Sequence, residues 1–320
     1  RDFTGARPAA MGGAYTAAAR GPLALRYNPA GLAREDRQKI MAQFGVSEPS
    51  LERSDLAYSR LLGPGGFGVS LSYIDYGKMT RTTTTSPGGA GTFGAHDLLF
   101  RGAYGWQVTS RLDVGASLGV YRLSIDDATA SGATADFALL WHDLFRDLDL
   151  GIALQNLGSK AQFDLERSPL PLSLVLGAAY RASDRLLLTG DVNATRNQDP
   201  RGRIGAEYQV VEAFSVRAGY DGSNEAGSGL TVGLGFKMKD LQFDYAFVPL
   251  GDIGNAHRFS AEYAFGQVMQ HKPRAACATA VAAPAAAPPI ADADRHLQNG
   301  NRLLAEKRYD EAIVEYDQVL

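Results

Sequence analysis

The sequence predicts an all-β protein, a closed antiparallel barrel whose strands cross a membrane. Over residues 39–265, about fourteen runs alternate apolar with polar or small residues, and a period of two places the two sets on opposite faces of a sheet. The connections between these runs are short and long in turn. One set is Leu, Val, Phe and Tyr and the other Arg, Asp, Glu, Ser and Gly, which predicts lipid outside and a polar interior.

Composition narrows the class further. The chain has 320 residues and a formal net charge of -3, so it lacks the basic surface that nucleic acid requires. No window approaches the roughly 18 apolar residues of a membrane helix, whereas a barrel strand needs an apolar residue only at every second position. The single Cys277 cannot form an internal disulfide.

Composition also divides the chain into four predicted segments. Residues 1–37 are small and apolar without strand alternation, and residues 38–266 contain the alternating runs. Residues 267–294 are rich in Ala and Pro, which predicts an extended linker. Residues 295–320 have a helical pattern that is still running at Leu320, so we expect more residues to follow. The start at Arg1 without an initiator Met is explained equally by removal of a secretory signal or by shortening.

The connections predict how the barrel is oriented. The short connections are 63–66, 109–110, 143–146, 183–184, 211–212 and 239–240, and the long ones are 47–51, 77–95, 125–131, 158–169, 196–200, 222–228 and 249–256. Bacterial outer-membrane barrels have short periplasmic turns and longer external loops. An even number of strands then places both chain termini in the periplasm.

Three short motifs carry a resemblance to a known family. Gly5-Ala6-Arg7, Met11-Gly12-Gly13-Ala14 and Tyr27-Asn28-Pro29-Ala30-Gly31-Leu32 resemble the opening of the FadL-like superfamily of outer-membrane channels, and within it the PorV/PorQ family. The resemblance implies a fourteen-stranded barrel whose N-terminal segment folds into the lumen as a plug. The plug residues it implies are Gly12, Gly13, Asn28, Pro29, Ala30 and Gly31. Residues 28–31 also fit a plain turn that starts the first strand.

Parity along the strands directs a set of charged residues inward. These are Arg101, Asp136, Asp191, Arg203, Glu207, Arg217, Asp244 and Glu262, together with Asp113, Asp149 and Arg258. Arg or Lys on the lipid face costs roughly 2–4 kcal/mol at the membrane midplane, so the inward assignment follows. The charges fit either a selective pathway or a cross-linked, mostly closed interior. Small neighbours that leave room for a plug favour the closed interior.

The C-terminal segment resembles a tetratricopeptide repeat. Gly300, Tyr309, Ala312 and Tyr316 lie at the small and aromatic positions of such a repeat. The resemblance implies further repeats and a surface that binds a partner. The alternative is an amphipathic helix pair of no special kind.

Catalytic and metal-binding patterns are weak. Residues 63–68 have the letters of a dinucleotide fingerprint, but strand alternation resumes at once, and Ser117 in Gly115-Ala116-Ser117-Leu118-Gly119 lies mid-strand. The five histidines lack ligand spacing, and we interpret them as polar residues at strand ends. We therefore expect no catalytic residues, no metal and no cofactor, and a protein that is not an enzyme.

Two functions remain open. The PorV resemblance implies a part in protein secretion or envelope assembly, with a secretion or envelope protein as partner. The broader FadL resemblance implies a channel for hydrophobic small molecules, with a lipophilic ligand beside Leu25, Tyr27, Ile74 or Leu99. We favour the first narrowly, with the protein surrounded by outer-membrane lipid in either case.

Overall fold

The structure is a computed structural model that describes residues 5–48, 50–87, 89–159, 161–163, 166–268 and 290–317. Most of the predicted linker, residues 269–289, lies outside the described residues, as do residues 1–4 of the predicted plug. The chain divides into two compact units, Arg1–Pro273 and Arg274–Leu320.

The first unit is a closed antiparallel barrel. In the part of the chain that is described, the strands are β1 (Gln38–Ser47), β2 (Leu51–Leu62), β3 (Gly65–Thr80), β4 (Thr92–Gln107), β5 (Leu112–Ile125), β6 (Ala128–Phe145), β7 (Leu148–Gly158), β8 (Ala161–Phe163), β9 (Glu166–Ser168), β10 (Ser173–Ser183), β11 (Leu186–Thr195), β12 (Arg201–Val211), β13 (Phe214–Asp221), β14 (Leu230–Met238), β15 (Leu241–Pro249) and β16 (Asn255–Phe265). All except β8 and β9 form the barrel, which the pairing of β1 with β16 closes. Strands β8 and β9 pair with each other within the connection from β7 to β10. The predicted all-β, fourteen-stranded fold is therefore confirmed.

Exposure alternates along the strands as the sequence pattern predicts. In β6, Phe137 and Trp141 are exposed on the outer face, whereas Asp136, Ala138 and Leu140 are buried on the inner face. This arrangement is the reverse of a soluble core, because the apolar side chains face away from the polar interior.

Nearly all connections at one end of the barrel are two-residue turns, and we call this end the turn end. Its connections are 63–64, 108–111, 146–147, 184–185, 212–213 and 239–240. At the opposite, loop end the connections are 48–50, 81–91, 126–127, 159–172, 196–200, 222–229 and 250–254. One predicted long connection, 125–131, is wrong because β5 and β6 meet in a two-residue turn. Asp126 has φ 54° there, and Asp tolerates this left-handed region better than most residues.

The predicted loop 77–95 is also shorter than expected. Strand β3 continues to Thr80 and β4 begins at Thr92, so residues 81–91 connect them. The pairing register shifts between Asp75 and Lys78, and Gly77 between them has φ 74°. This bulge interrupts the alternation in the sequence without ending the strand.

The barrel wall has unequal height. Strands β3, β4, β5 and β6 contain 16, 16, 14 and 18 residues, and we call them the tall wall. Strands β13, β14, β15 and β16 contain 8, 9, 9 and 11 residues, and we call them the short wall. At the turn end, short connections join β2 to β3, β4 to β5 and β6 to β7, which aligns the strand ends there. The tall wall therefore extends further at the loop end.

The N-terminal segment lies inside the barrel, and we call residues 5–37 the plug. It contains helix α1 (Ala6–Ala10), a 3-10 helix (Gly21–Leu23), helix α2 (Ala24–Tyr27) and a second 3-10 helix (Pro29–Leu32). Helix α1 packs on Ala246, Val248 and Ala256 near the loop end of the short wall. The second 3-10 helix lies against the turn end of the tall wall. The plug is therefore oblique within the lumen.

The second unit is a helix pair. It consists of α3 (Ile290–Ala305) and α4 (Tyr309–Asp317), which pack on each other through the buried side chains of Leu303 and Ala312. No described helix has both the length and the apolar character required to cross a membrane.

Candidate functional site

The two adjacent plug glycines occupy backbone conformations that favour glycine. Gly12 has φ 62° and Gly13 has φ 76°. The N–H of Gly12 donates to Thr231 Oγ1 at 3.0 Å, and this hydroxyl donates to the carbonyl of Ala10 at 3.0 Å. A Cβ at Gly12 would overlap the backbone of Tyr220. Gly12 thus allows the plug and wall backbones to touch.

Asn28 joins the plug to the tall wall. Its side chain is completely buried, and Nδ2 donates to the carbonyls of Thr16 and Leu139, each at 3.0 Å. Its Oδ1 accepts from the N–H of Ala30 at 3.1 Å and so caps the 3-10 helix that follows. Strand β1 begins only at Gln38, so residues 28–31 are part of the plug and do not start the first strand.

A belt of inward-facing glycines surrounds the plug. At each of them a Cβ would crowd plug atoms; the belt consists of Gly66, Gly105, Gly115, Gly151, Gly177, Gly205, Gly219 and Gly233. Pro29 and Ala30 lie against Gly115, while Gly31 lies against the carbonyl of Ala19 within the plug. Because glycine has no side chain, the plug backbone fills the space that wall side chains would otherwise occupy.

On the short-wall side, the plug is held by charge. The guanidinium of Arg7 in α1 donates to both oxygens of Glu207 in β12, at 2.7 and 2.6 Å. Arg217 in β13 also binds Glu207 and donates to Asp244 in β15 at 2.7 Å. The side chains of Arg217 and Asp244 are only 3% and 7% exposed. Two cations and two anions thus form a compensated buried network.

The remaining predicted inward charges of β11, β12 and β16 are also placed inside. The backbone N–H groups of Tyr15 and Thr16 in the plug donate to Asp191 Oδ2 at 3.0 and 3.1 Å. The hydroxyl of Thr16 donates to the same oxygen at 2.7 Å. Arg203 donates to Asp221 at 3.0 Å. Glu262 is half-buried. The geometry is that of a cross-linked interior.

On the tall-wall side, the central ionic pair is Arg101 with Asp136. Arg101 binds Asp136 and also donates to the plug carbonyl of Leu25 at 3.1 Å. The other oxygen of Asp136 accepts from the backbone N–H of Asn156 at 2.7 Å. Asn156 has φ 62°, and the β6–β7 register shifts beside it. The carboxylate of Asp136 therefore accepts a backbone N–H that a strand carbonyl accepts in a regular β-ladder.

Towards the loop end, the inner face of the tall wall becomes apolar. Here lies what we call the apolar cluster, which contains Leu99, Tyr121, Leu123, Ala130 and Leu170. Leu99 is opposite Tyr121 and Leu123 is opposite Ala130 in the strand pairing. Tyr121 and Ala130 are buried while the three leucines are only partly buried. The lumen near the loop end thus offers apolar surface within a polar interior.

Arg26 of the plug lies near this wall. Its backbone carbonyl accepts from Gln155 at 3.2 Å, but its guanidinium has no hydrogen-bond partner among the described residues. Burial, and then the positive charges of Arg101 and Arg53, lower the pKa of the Arg26 guanidinium to about 10. Arg53 is paired with Asp55 at 2.8 Å and Arg101 with Asp136. Among the described residues, Arg26 is therefore the cation of this group without an ion-pair partner.

His142 differs from the polar strand-end residue predicted from the sequence. It is 6% exposed on the inner face of β6. Its Nε2 is 2.7 Å from Asp113 and its Nδ1 is 3.4 Å from Asp149. No three or more His, Cys, Asp or Glu side chains in the described part of the chain are grouped to hold a metal ion.

In the helix pair, three of the four predicted repeat residues contact or are buried by the other helix. Gly300 lies against the ring of Tyr316, whose hydroxyl donates to Asn301 at 2.7 Å. Ala312 is buried, whereas Tyr309 is 57% exposed. The packing fits a helical hairpin, and its assignment as a tetratricopeptide repeat stays a prediction.

Several residues of this site were missed by the sequence analysis. Small neighbours of the inward charges indicate room for a plug, but the individual glycines of the belt were not named from the sequence, although they lie at inward parity positions. The apolar cluster was represented by Leu99 alone. Leu123 and Tyr121 share its parity, but a one-dimensional pattern does not show which inward positions the plug covers.

Comparison with known proteins agrees on the fold. No protein-family model matches the chain, and no curated protein matches it. Among solved structures, the toluene transporter TodX of Pseudomonas putida is similar with a TM-score of 0.59 at 16% identity, over 82% of this chain and 97% of that one. A deltaS2 mutant of TodX, described as a monoaromatic hydrocarbon channel, has the same TM-score and identity over 83% and 99%. At this identity the likeness establishes the fold alone.

Proposed function

We propose that this protein is a bacterial outer-membrane channel for hydrophobic small molecules. The observation that carries the proposal is the apolar cluster on the inner face of the tall wall, directly on the loop-end side of Arg101 and Asp136. A channel for polar solutes has no use for half-buried leucines in its lumen. The TodX structures, whose titles describe a toluene transporter and a monoaromatic hydrocarbon channel, support the same conclusion.

The apolar cluster favours ligand binding by burying apolar surface. Apolar surface removed from water contributes roughly 25 cal/mol per Å², and a solute seated against Leu99 and Leu123 covers surface on both partners. The guanidinium of Arg26 in the plug, near Arg101 and without a hydrogen-bond partner among the described residues, lets a ligand carry one polar group. No bond is made or broken, so enzymatic activity is not part of the proposal.

The orientation follows from the connections. We place the turn end in the periplasm and the loop end outside, as in other bacterial outer-membrane barrels. The tall wall then rises on the external side, and solute arrives at the apolar cluster before it meets the plug. Both termini of the barrel lie at the turn end and are therefore periplasmic in this proposal.

A role in secretion has weaker support. Its structural basis is the helix pair alone, where Tyr309, Ile313 and Val314 are exposed on α4 and offer apolar surface to a protein partner. The hydrophobic-channel function is supported by the barrel interior itself, and we therefore place it first.

Uptake of a radiolabelled monoaromatic hydrocarbon tests the proposal. Cells lacking their own hydrophobic channels would express the full chain or Leu123→Asn, which puts an amide into the apolar cluster. We expect uptake with the full chain and a severalfold decrease with Leu123→Asn. Gln198→Ser, at an exposed polar position of the loop end, is the matched control and should transport normally. Absence of uptake by the unaltered chain for aromatic and aliphatic lipophiles alike contradicts the proposal.

A further inference from the structure

We propose that His142 is a proton-sensitive latch that holds the plug to the barrel wall and loosens on acidification. It lies where three strands of the wall meet two arginines of the plug. The charged and titratable groups around it are Asp113 of β5, Asp149 of β7, Asp143 of β6, Asp147 of the turn from β6 to β7, Arg181 of β10, and Arg20 and Arg34 of the plug.

The two plug arginines are bound to the same two carboxylates as His142. Arg34 donates to Asp113 Oδ2 at 2.7 Å and Arg20 donates to Asp149 Oδ2 at 3.3 Å. His142 lies between the two carboxylates, with Nε2 facing Asp113 and Nδ1 facing Asp149. Both carboxylates are almost completely buried, so neither can exchange these partners freely for water.

Neutral His142 suits the docked plug. An N–H on Nε2 donates to Asp113, and the lone pair of Nδ1 accepts from Arg20 Nη2, which is 3.3 Å away. Arg20 and Arg34 then balance Asp113 and Asp149, while Arg181 pairs with the exposed Asp143 and also reaches Asp149 at 3.4 Å. Arg20 is thereby hydrogen-bonded to both the imidazole and Asp149.

Protonation removes this acceptor. An N–H on Nδ1 points at Arg20 Nη2 and competes with Arg20 for the same oxygen of Asp149. The imidazolium also adds a positive charge next to the guanidinium groups of Arg20 and Arg34, and no further carboxylate is added to balance it. Since the carboxylates and His142 belong to the wall, the group displaced is the plug arginine.

Water has access to this cluster from the turn end. A cavity of about 570 Å³ lies between the plug and the wall, and its lining includes Arg20, Asp149, Ala18 and Leu187. Protons from the bulk solution therefore reach the latch without crossing the barrel. Histidine is the side chain whose charge changes most readily between about pH 5 and pH 8, so among the groups of this cluster it is the one that acid can switch.

Hydrogen exchange of plug peptides tests the latch without any transported solute. The full chain and His142→Gln, which cannot become cationic, would be compared in detergent at about pH 7.5 and about pH 5. Comparing the two at the same pH cancels the intrinsic pH dependence of exchange. We expect equal plug exchange at the higher pH, and roughly tenfold faster exchange in the unaltered chain at the lower pH.

Two further variants sharpen the outcome. Arg20→Gln removes the displaced group, so its plug should exchange faster at both pH values without further response to acid. This variant also tests the latch if His142→Gln does not fold. His257→Gln, on the outer face of β16, should behave as the unaltered chain does. An unaltered chain that matches His142→Gln at both pH values, or an Arg20→Gln plug that still responds to acid, overturns the proposal.

Discussion

The tall and short walls of the barrel contact the plug over different parts of their inner faces. On the short wall, α1 packs on Ala246, Val248 and Ala256 and so covers these inner-face residues near the loop end. On the tall wall, the plug lies at the turn end, and the apolar cluster beyond Arg101 is left facing the lumen. The difference in strand length thus separates a sealing surface from a surface free to bind solute.

The means of attachment differ as well. The short-wall side adds the ionic network of Arg7, Glu207, Arg217 and Asp244 to close contacts at its glycines. The turn end of the tall wall holds the second 3-10 helix by backbone contact across glycines, beside the ion pair of Arg34 with Asp113. Ionic attachment depends on every member being present, and backbone contact depends on the absence of side chains. Each can be broken by one substitution.

The largest effect is expected from Glu207→Ala. It leaves Arg7 and Arg217 without the carboxylate they share, and breaking a buried pair in this way costs about 3–5 kcal/mol. Urea unfolding in detergent, followed by the gel shift of the folded barrel, measures the loss. Glu225→Ala is the control, because its pair with Arg201 is 74% exposed on the glutamate side and should matter little. Equal stability of the two variants contradicts the ionic role.

An intermediate effect is expected from Gly115→Ala. The new methyl group would overlap the backbone of Pro29 and Ala30, and overpacking of this kind costs about 1–3 kcal/mol. We expect faster hydrogen exchange at residues 28–33 with the barrel intact. Gly102→Ala on the outer face of β4 has open space around its Cβ and should leave the plug unchanged. If residues 28–33 of Gly115→Ala exchanged as slowly as in the unaltered chain, the plug would accommodate the methyl group without loss of stability.

Much of the barrel was predictable, because its alternation is a local property. Parity placed Arg101, Asp136 and Arg217 inside, since a charge on the lipid face is costly. The connection lengths were predicted at most positions, and failed where a bulge at Gly77 resembles a loop and where Asp126 forms a turn without glycine.

The candidate site was less predictable, because it depends on what the plug covers. Asn28 was recognised through its motif, yet its contact with the carbonyl of Leu139 joins residues 111 positions apart. His142 has nothing nearby in sequence to indicate Arg20 as a neighbour. Long-range contacts of this kind follow from barrel closure and plug tilt, neither of which a single sequence displays.

The smallest effect concerns the turn that the sequence analysis mistook for a loop. Asp126→Gly relieves the left-handed backbone at φ 54° but loses an exposed ion pair with Arg81. These opposing terms leave the stability of the tall wall within about 0.5 kcal/mol of its starting value. Asp126→Val has neither the conformational freedom of Gly nor the ion pair of Asp. It should lower the free energy of unfolding by about 1–2 kcal/mol, since a β-branched residue is strained at positive φ. Identical urea midpoints for the two variants would mean that β5 and β6 are joined by a flexible loop after all, and the tall wall would then end lower than the structure has it.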